Sequence, residues 1–250
     1  LENGYKVRGT VRSLASKDKY RHLLELKNAK ENLELVEADL LVDGSFDQVV
    51  KGSTAVFHVA SPFFFGVTDP QKQLIEPALN GTRNVFSAIV KNLDTVKRVI
   101  VTSSVAAVTH GPTTKPGVYT EENWNTDSTV DDQPYSYSKT LAEREAWKWA
   151  KEHNIAVTTV NPPFIFGPVL AKDRVKDQSE LNTSNAYLKK MVTGSANDKV
   201  SPKNGFSLVD VRDVAKAHRL ALEIDATIGH RLICSAASVT NAQFNQTLIE

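Results

Sequence analysis

Tyr135 and Lys139, in the stretch Y-S-Y-S-K, are the side chains of this sequence best suited to chemistry. Residues four apart lie on one face of an α-helix, so a helix here would direct the phenol and the ammonium into the same space. A free phenol, with a pKa of about 10, is a poor acid or base at neutral pH. A nearby cation favours the phenolate and lowers that pKa, so the pair predicts a general acid–base site. A tyrosine packed at a helix start, with Lys139 in solvent, would give the same spacing, and the motif alone leaves both interpretations open.

Two serines, Ser103 and Ser104, follow the apolar run Arg98–Thr102 (RVIVT), which has the composition of a buried strand. Ligands of open parallel sheets bind beyond the carboxyl ends of the strands. A serine hydroxyl at that edge can donate a hydrogen bond to a substrate carbonyl and stabilise negative charge on its oxygen. The alternative is that the serines only satisfy backbone groups of the loop.

The tripeptide Asn161-Pro162-Pro163 comes directly after another strand candidate, Ala156–Val160. Prolines give a rigid loop without N–H donors, which suits Pro162 to lining a flat ring at the same edge. They could equally serve only to end the strand.

The end of the first strand candidate, Thr10-Val11-Arg12-Ser13, indicates the cofactor preference. In dinucleotide-binding folds an acidic residue near this point binds the ribose 2′-hydroxyl of NAD, whereas an arginine accommodates the 2′-phosphate of NADP. Arg12 offers a planar fork and Lys19 a point charge, so NADP (NADPH) is favoured over NAD. Two solvated surface cations are the alternative. Asp39 and Leu40, after the strand candidate Leu33–Glu37, lie where an adenine amino group could be bound; Asp39 could also be a simple loop cap.

The elements that must position these residues alternate between short β-branched runs and helix-length segments, the pattern of a parallel sheet with helices on both faces. The predicted strands are Lys6–Arg12, Leu33–Glu37, Ala55–Val59, Arg98–Thr102, Ala156–Val160 and Arg231–Cys234. The predicted helices are Lys17–Lys27, Ser45–Lys51, Pro70–Asn92, Tyr135–His153, Val211–Ile224 and Asn241–Glu250. We expect an α/β fold with a doubly wound parallel sheet.

The glycines do not form a phosphate-binding turn. None of the 12 glycines belongs to a G-x-G-x-x-G motif, and Leu1 to Gly4 read as the end of a helix that runs directly into a strand. We interpret this as an N-terminal truncation that removes the first strand and the glycine-rich turn; a natural domain beginning at Leu1 is the alternative. The last segment, near Glu250, is an uncapped helix, so the C-terminal side is also interpreted as cut.

Composition excludes several classes of protein. The 250 residues carry a formal net charge of +1, which argues against a strongly basic nucleic-acid binder. The sequence contains neither an apolar run of about 18 residues, as a membrane span needs, nor a signal peptide at its start. Its one cysteine, Cys234, offers neither an intrachain disulfide nor a metal cluster. We expect a cytoplasmic protein without a metal site.

These residues together resemble the extended short-chain dehydrogenase/reductase family, in its dihydroflavonol reductase and cinnamoyl-CoA reductase branch. The matching stretches follow one another in family order along nearly the whole chain: Val7–Arg12 (VRGTVR), Glu37–Leu40 (EADL), Val56–Pro62 (VFHVASP), Val101–Ala106 (VTSSVA), Tyr135–Trp147 (YSYSKTLAEREAW), Asn161–Pro168 (NPPFIFGP) and Leu208–Ala217 (LVDVRDVAKA).

The resemblance implies a Rossmann-type NAD(P)-binding fold with a Ser–Tyr–Lys site. Tyr135 would donate the proton, Lys139 would bind the nicotinamide ribose and lower the phenol pKa, and Ser104 would hold the carbonyl, with Ser103 as the fallback. Ala60, in V-F-H-V-A-S-P, would lie beside the cofactor. A helix asparagine sometimes completes a proton relay in this family, and neither Asn80 nor Asn84 can be assigned that role from the sequence.

The sequence also departs from the branch at one block. Cinnamoyl-CoA reductases resemble one another in an N-W-Y-C-Y-G-K block, where this chain has Q-P-Y-S-Y-S-K. The difference weakens a CoA-thioester substrate and leaves ketone or aldehyde reduction open.

We therefore expect an NADPH-dependent oxidoreductase that reduces a ketone or aldehyde. The dinucleotide-binding domain would span residues 1–165 with a returning strand near 230–235, the substrate-binding region 166–228, and a truncated C-terminal part would begin at 240–250. The partner would be a small-molecule carbonyl substrate, with neither nucleic acid nor membrane, and the protein a monomer or homodimer.

Two alternatives remain open. An NAD-dependent nucleotide-sugar epimerase or dehydratase would use the same tyrosine and lysine, but Arg12 argues against it. A catalytically idle cofactor-binding fragment or sensor would share the fold, because a fold alone does not fix function. The complete set of Ser104, Tyr135 and Lys139 argues against that alternative.

Overall fold

The structure is a computed structural model that describes residues 1–15, 17–61, 66–110, 117–170, 183–193 and 205–249. Its β-strands are β1 (Val7–Val11), β2 (Leu33–Glu37), β3 (Ala55–His58), β4 (Arg98–Thr102), β5 (Val157–Asn161), β6 (Phe164–Phe166), β7 (Gly205–Asp210), β8 (Arg231–Ile233) and β9 (Ala237–Thr240). Its α-helices are α1 (Arg21–Leu24), α2 (Ala29–Asn32), α3 (Asp47–Val50), α4 (Glu76–Val90), α5 (Pro134–His153), α6 (Thr183–Val192), α7 (Val211–Glu223) and α8 (Asn241–Ile249).

The strands form three sheets. The central sheet has the order β3-β4-β5-β8 with all pairs parallel, and β1 and β2 form a separate parallel pair. A smaller mixed sheet, β6-β7-β9, has one parallel and one antiparallel pair. In the central sheet the carboxyl ends of β3, β4 and β5 all point to the same edge, where ligands bind in such folds.

The central strands are buried on both faces, which explains their continuous apolar composition. Val99, Ile100 and Val101 of β4 are at most 5% exposed, and every residue of β5 is buried. By contrast, β1 is largely exposed, and Val7 is 39% exposed. The central sheet is therefore the rigid part of the framework, and β1 lies at its periphery.

Helices cover both faces of the central sheet, and the predicted doubly wound α/β fold is confirmed. On one face, α4 and α5 pack together and bury Phe86, Ile89 and Ala146 completely. On the other face, Ala221 of α7 packs with Ile100 and Val160. In the part of the chain that the structure describes, no helix is long and apolar enough to cross a membrane.

All six predicted strands are present, with shifts of at most one or two residues at their ends. The predicted helix Lys17–Lys27 is wrong in extent. A 3-10 turn covers Lys17–Lys19, and α1 begins only at Arg21. The interruption falls at Tyr20, whose backbone leaves helical geometry while its buried hydroxyl donates to the carbonyl of Leu14.

The predicted helix Pro70–Asn92 begins as a π-helical turn over Gln71–Ile75 and continues as α4. Three strands (β6, β7 and β9) and two helices (α2 and α6) were not predicted. The strands β6 and β9 and the helix α2 have only three or four residues, and long-range pairing rather than a local pattern defines all three strands. Of the predicted substrate-binding region 166–228, residues 171–182 and 194–204 lie outside the described residues.

Candidate functional site

Helix α5 carries three chemically active side chains on one face. Pro134 occupies its first turn, after Gln133 with a left-handed φ of 59°. Proline is favoured at that position because its missing N–H would be unpaired there anyway. Tyr135, Lys139 and Glu143 then follow at intervals of four residues, and both Lys139 and Glu143 are buried. The solvated position considered for Lys139 is thereby excluded, and the shared face predicted for Tyr135 and Lys139 is present.

The end of β4 brings Ser104 to Tyr135. The buried Ser104 hydroxyl forms a hydrogen bond with the Tyr135 phenol. The same hydroxyl accepts from the backbone N–H of Ala106 at 3.1 Å, capping the 3-10 turn Val105–Ala107. Ser104 therefore combines the two roles that the sequence left as alternatives: it satisfies the loop backbone and faces the phenol.

Ser103, the fallback serine, points elsewhere. Its buried hydroxyl donates to a carboxylate oxygen of Glu143. Of the two serines, Ser104 is therefore the one hydrogen-bonded to the tyrosine.

The pKa of Tyr135 differs from the expectation. Burial raises the pKa of Tyr135 to about 12, and the hydrogen bond from Ser104 only partly opposes the rise. The net shift is opposite in direction to the lowering expected beside Lys139, because desolvation of the phenolate outweighs the other influences. The phenol is consequently protonated at neutral pH.

Lys139 is held at the end of β4. Its ammonium donates to the backbone carbonyl of Thr102, with Nζ and O 3.2 Å apart. Burial lowers the pKa of Lys139 to about 8, while the negative charge of Glu143 acts in the opposite direction. A buried lysine with a lowered pKa in a cleft is typical of functional sites.

A pocket lies between the central sheet and helices α4 and α5, beside Lys139. Its lining includes His58, Ala60, Ser61, Thr82 and Lys139. Burial, the larger cause, and the charge of Lys139 lower the pKa of His58 to about 4, so its imidazole is neutral at pH 7. Among the described residues, nothing hydrogen-bonds to the buried hydroxyl of Ser61. An orphaned hydroxyl at the ligand edge of a sheet fits a bound polar ligand.

The asparagines considered for a proton relay lie elsewhere. The amide of Asn84 donates to the backbone carbonyl of Leu40 at 2.7 Å, and Asn80 is exposed. On this helix it is Thr82 that lines the pocket, with its Oγ1 3.4 Å from His58 Nε2.

The residues predicted to bind the adenosine end lie around β1 and β2. Arg12 follows β1 and is exposed, and so is Lys19. The Asp39 carboxylate accepts from the backbone N–H of Leu41 at 2.9 Å, which is the loop-cap role given as the alternative. Leu40 packs against Gly81 of α4, where an added Cβ would lie 3.2 Å from the leucine Cβ.

The Asn161-Pro162 segment, at the end of β5, is hydrogen-bonded to the loop that carries Ser104. The carbonyl of Pro162, a buried residue, accepts from the N–H of Val105 at 3.1 Å and from the Ser104 hydroxyl at 3.4 Å. The fully buried Asn161 amide donates to the carbonyl of Ser104 at 3.1 Å and to Glu143 at 2.8 Å. The proline therefore both ends β5 and supports the serine loop.

Sequence reasoning missed Asn161, Glu143 and Arg231 as site residues. Glu143 could have been found, since it continues the spacing of Tyr135 and Lys139 by one more turn. Arg231 carries no such signal, because 88 residues separate it from Glu143.

Next to the site, five aromatic rings form a cluster on the small sheet and helices α6 and α8. Neighbouring ring centroids lie 5.1–6.2 Å apart in this cluster, which consists of Phe164, Phe166, Tyr187, Phe206 and Phe244. All five side chains are partly exposed. Since β6 begins directly after Pro162-Pro163, the cluster adjoins the ligand edge of the central sheet.

The described residues contain no group of three or more His, Cys, Asp and Glu side chains that could hold a metal ion. The polar groups of the described site are hydroxyl, phenol, ammonium, imidazole, carboxylate and carboxamide groups.

Comparison with known proteins places these features in context. Residues 1–234 match the family described as "NAD dependent epimerase/dehydratase family". A cinnamoyl-CoA reductase of Medicago truncatula is 43% identical over 237 residues, covering 93% of this chain and 69% of that protein. A putative NADPH-dependent methylglyoxal reductase of Candida albicans is 38% identical over 248 residues, covering 93% of this chain and 72% of that protein. The crystal structure of a yeast methylglyoxal/isovaleraldehyde reductase complexed with NADPH superposes with a TM-score of 0.84 at 35% identity, covering 96% of this chain and 73% of the other.

Proposed function

The chain belongs to the NAD dependent epimerase/dehydratase family, and from this membership we propose that it is an NADPH-dependent reductase that converts a ketone or aldehyde into an alcohol with Ser104, Tyr135 and Lys139. One observation carries the proposal. The Ser104 hydroxyl bonds to the Tyr135 phenol at the carboxyl end of β4, and Lys139, on the same helical face as Tyr135, meets the last carbonyl of that strand. The relatives described above are named reductases, which supports the reaction class.

Each of the three side chains has a distinct role in the proposed reaction. Tyr135, protonated at neutral pH because its pKa is about 12, donates its proton to the carbonyl oxygen as negative charge develops there. Ser104 donates a hydrogen bond to the same oxygen. Lys139 supplies a positive charge one helical turn from the phenol, which favours the phenolate that remains.

The residues present fit NADPH. When bound, this cofactor supplies the hydride that reduces the carbonyl carbon. Lys139 and Ser61, whose buried hydroxyl has no partner among the described residues, offer hydrogen bonds at the reacting end, beside Ala60. Pro162, which is buried and has no N–H donor, would support the nicotinamide end of the site by keeping the loop at the same edge rigid.

The far end of the proposed cofactor site is cationic. Arg12 and Lys19 would bind the 2′-phosphate that distinguishes NADPH from NADH. Asp39 and Leu40 would border the adenine. Arg12 and Lys19 are both exposed, so their side chains are accessible to a phosphate.

The substrate is proposed to be a small carbonyl compound rather than a CoA thioester. The Q-P-Y-S-Y-S-K block departs from the cinnamoyl-CoA reductase pattern, and two relatives are named for methylglyoxal. We assign cofactor binding and proton transfer to residues 1–165 and substrate selection to the region 166–228, which includes part of the aromatic cluster.

Cofactor titration is the first test. Fluorescence titration of the 250-residue chain with NADPH and with NADH should show binding that is selective for NADPH. Preference for NADH would contradict the assignment of Arg12 and Lys19 and would favour the epimerase alternative, whose family description this chain matches. Binding of neither cofactor would point to the glycine-rich turn that the glycines of this sequence do not form, and that segment would be added before any substrate assay.

Substitution of the proton donor is the second test. Tyr135→Phe should lower the rate of NADPH-dependent methylglyoxal reduction by about 10²–10⁴-fold, as expected for loss of a general acid, and should leave NADPH affinity within about threefold. Tyr137→Phe is the matched control, since it removes a phenol from the same helix two residues away. Equal rates in the two variants would refute the role of Tyr135.

A further inference from the structure

A buried ion pair lies behind the proposed reacting groups. Glu143 of α5 and Arg231, the first residue of β8, approach with Nε and Oε1 2.5 Å apart, and their side chains are 0% and 7% exposed. The desolvation of two buried charges offsets most of their attraction, and apolar side chains of similar volume often give equal or greater stability. Folding stability therefore does not by itself account for this pair.

The Glu143 carboxylate is the centre of a dense hydrogen-bond network. One oxygen accepts from Arg231, from the Thr159 hydroxyl at 3.2 Å and from the Trp147 indole at 3.2 Å. The other oxygen accepts from the Ser103 hydroxyl and from the Asn161 amide at 2.8 Å. A carboxylate held by this many donors has one orientation.

Arg231 is also fully engaged. Its remaining N–H groups donate to the backbone carbonyls of Ala107, at 3.2 Å, Glu121, at 2.9 Å, and Asn123. The indole ring of Trp124 lies against the guanidinium, 3.8 Å from centroid to Cζ. The pair thus ties α5 and β8 to the turn after β4 and to the loop at 121–124.

Two short paths lead from Glu143 to the serine of the reacting site. The Asn161 amide that donates to Glu143 also donates to the backbone carbonyl of Ser104 at 3.1 Å. Ser103, bonded to Glu143 through its side chain, is covalently next to Ser104. Both paths fix the backbone from which the Ser104 hydroxyl reaches Tyr135.

Glu143 also faces Lys139, one helical turn earlier. In the described part of the chain, Glu143 is the one carboxylate among the residues that line the Lys139 pocket. The other polar groups of the pocket are all uncharged at neutral pH: His58 from β3, Ser61 after it, Thr82 from α4, Thr102 at the end of β4 and Ser103 after it. Arg231 lies on the far side of the Glu143 carboxylate.

We propose that Glu143, oriented by Arg231, is a positioning residue of the reductase site that holds Ser104 against Tyr135 and provides the buried negative charge opposite Lys139. The inference rests on the proposed function, because it presupposes that Ser104, Tyr135 and Lys139 carry the reaction. It adds two residues, from α5 and from β8, whose role is exerted through other side chains.

The test compares two glutamates of the same helix. Glu143→Gln keeps the shape of the side chain and removes its charge. Glu145→Gln is the matched control, because Glu145 also pairs with an arginine, the half-exposed Arg83, at 2.8 Å and accepts from an indole, Trp149, at 3.1 Å, and its side chain is partly exposed where that of Glu143 is fully buried. We expect Glu143→Gln to lower kcat about a hundredfold, as a small misplacement of reacting groups does. KM for NADPH should change less than about threefold, and Glu145→Gln should resemble the wild type.

Titration of Lys139 gives a readout that needs neither cofactor nor turnover. The ¹³Cε signal of Lys139, assigned with Lys139→Arg, should titrate at lower pH in Glu143→Gln than in the wild type, because the opposing charge is removed while Arg231 remains. A purely structural loss would not move this signal in that direction. An unchanged Lys139 titration together with an unchanged kcat would overturn the proposal.

If Glu143→Gln does not fold, Ser103→Ala tests the positioning role instead, because it leaves the Glu143–Arg231 ion pair in place. It removes one of the two paths, so kcat should fall about three- to tenfold while the Lys139 titration stays as in the wild type. Wild-type kcat in Ser103→Ala would then overturn the positioning role. If instead Tyr135→Phe retains full activity, the proposed function itself fails, and this outcome is distinguishable from failure of Glu143→Gln alone.

Discussion

The carboxyl ends of β4 and β1 present polar side chains in different ways. At the end of β4, Ser103, Ser104 and Lys139 are buried, and each is hydrogen-bonded to another part of the fold. At the end of β1, Arg12 and Lys19 are exposed. The first group is oriented by folding itself, whereas the second, as we propose, would acquire a fixed geometry when it binds the 2′-phosphate.

This difference between buried and exposed groups predicts that the two regions affect different quantities, the rate of turnover at β4 and the affinity for the cofactor at β1. Groups that must act on a developing charge gain from orientation in advance, in a dry environment. Groups that attract a phosphate act over a longer distance through water and are screened by salt. We therefore expect substitutions near β4 to change turnover and stability, and substitutions near β1 to change cofactor selectivity.

The largest effect should come from Lys139. Lys139→Met removes the buried ammonium and its bond to Thr102, and kcat should fall by about 10²–10⁴-fold, within the range for loss of a group that assists proton transfer. Steady-state kinetics with NADPH measure this. The control is Lys148→Met on the same helix, whose exposed ammonium lies 4.0 Å from Glu152. A similar loss in both variants would show that the charge of the helix, rather than the buried position, matters.

Substitutions in the buried core beside the central sheet should also lower the free energy of unfolding more than substitutions in β1. Phe86→Ala empties a fully buried site between α4 and α5, where the ring lies 6.4 Å from that of Trp149, and should cost about 3–5 kcal/mol of unfolding free energy. Val7→Ala on the exposed face of β1 should cost less than about 0.5 kcal/mol. Urea denaturation of the two variants measures the contrast. Equal costs would mean that β1 is as much part of the cooperative core as α4.

The sequence predicts the elements that local patterns define and does not predict those that long-range contacts define. The bounds of β2 and β4 were predicted to the residue, because β-branched apolar runs flanked by polar residues are a local pattern. Helix α5, predicted as Tyr135–His153, was predicted within one residue for a similar reason, its amphipathic length. By contrast, β6 has only three residues and is defined by its pairing with β7, which begins 39 positions after β6 ends.

The site divides in the same way. The spacing of Tyr135 and Lys139 and the position of Ser104 after β4 are local, and the structure brings all three to one edge. The Glu143–Arg231 pair joins residues 88 positions apart and could not be predicted from spacing. The raised pKa of Tyr135 likewise depends on burial in the folded chain, which a motif does not report.

The free energy of unfolding should also depend on pH through His58, which is buried at the end of β3. Burial lowers the pKa of His58 from 6.5 to about 4. As the pH falls from 6.5 towards 4, the unfolded chain binds this proton before the folded protein does, so the free energy of unfolding should decrease by about 3 kcal/mol in total. His58→Gln should flatten this part of the stability profile, measured by urea denaturation at several pH values. The control is His230→Asn at an exposed position; a flattening of the same size in that variant would exclude His58 as the source.

The smallest effect is expected at Arg12, where it bears most directly on the comparison. Arg12→Ala should weaken NADPH binding about tenfold, which corresponds to about 1.4 kcal/mol, and leave NADH binding unchanged, because only NADPH carries the 2′-phosphate. The loss should shrink as salt is added, since an exposed ion pair is screened, whereas the kcat loss of Lys139→Met should not. Fluorescence titrations at low and high ionic strength measure both points, with Arg21→Ala, an exposed arginine paired with Glu25 at 3.6 Å, as the control. If Arg12→Ala lowered kcat without changing NADPH affinity, the proposed separation of rate at β4 from affinity at β1 would be refuted.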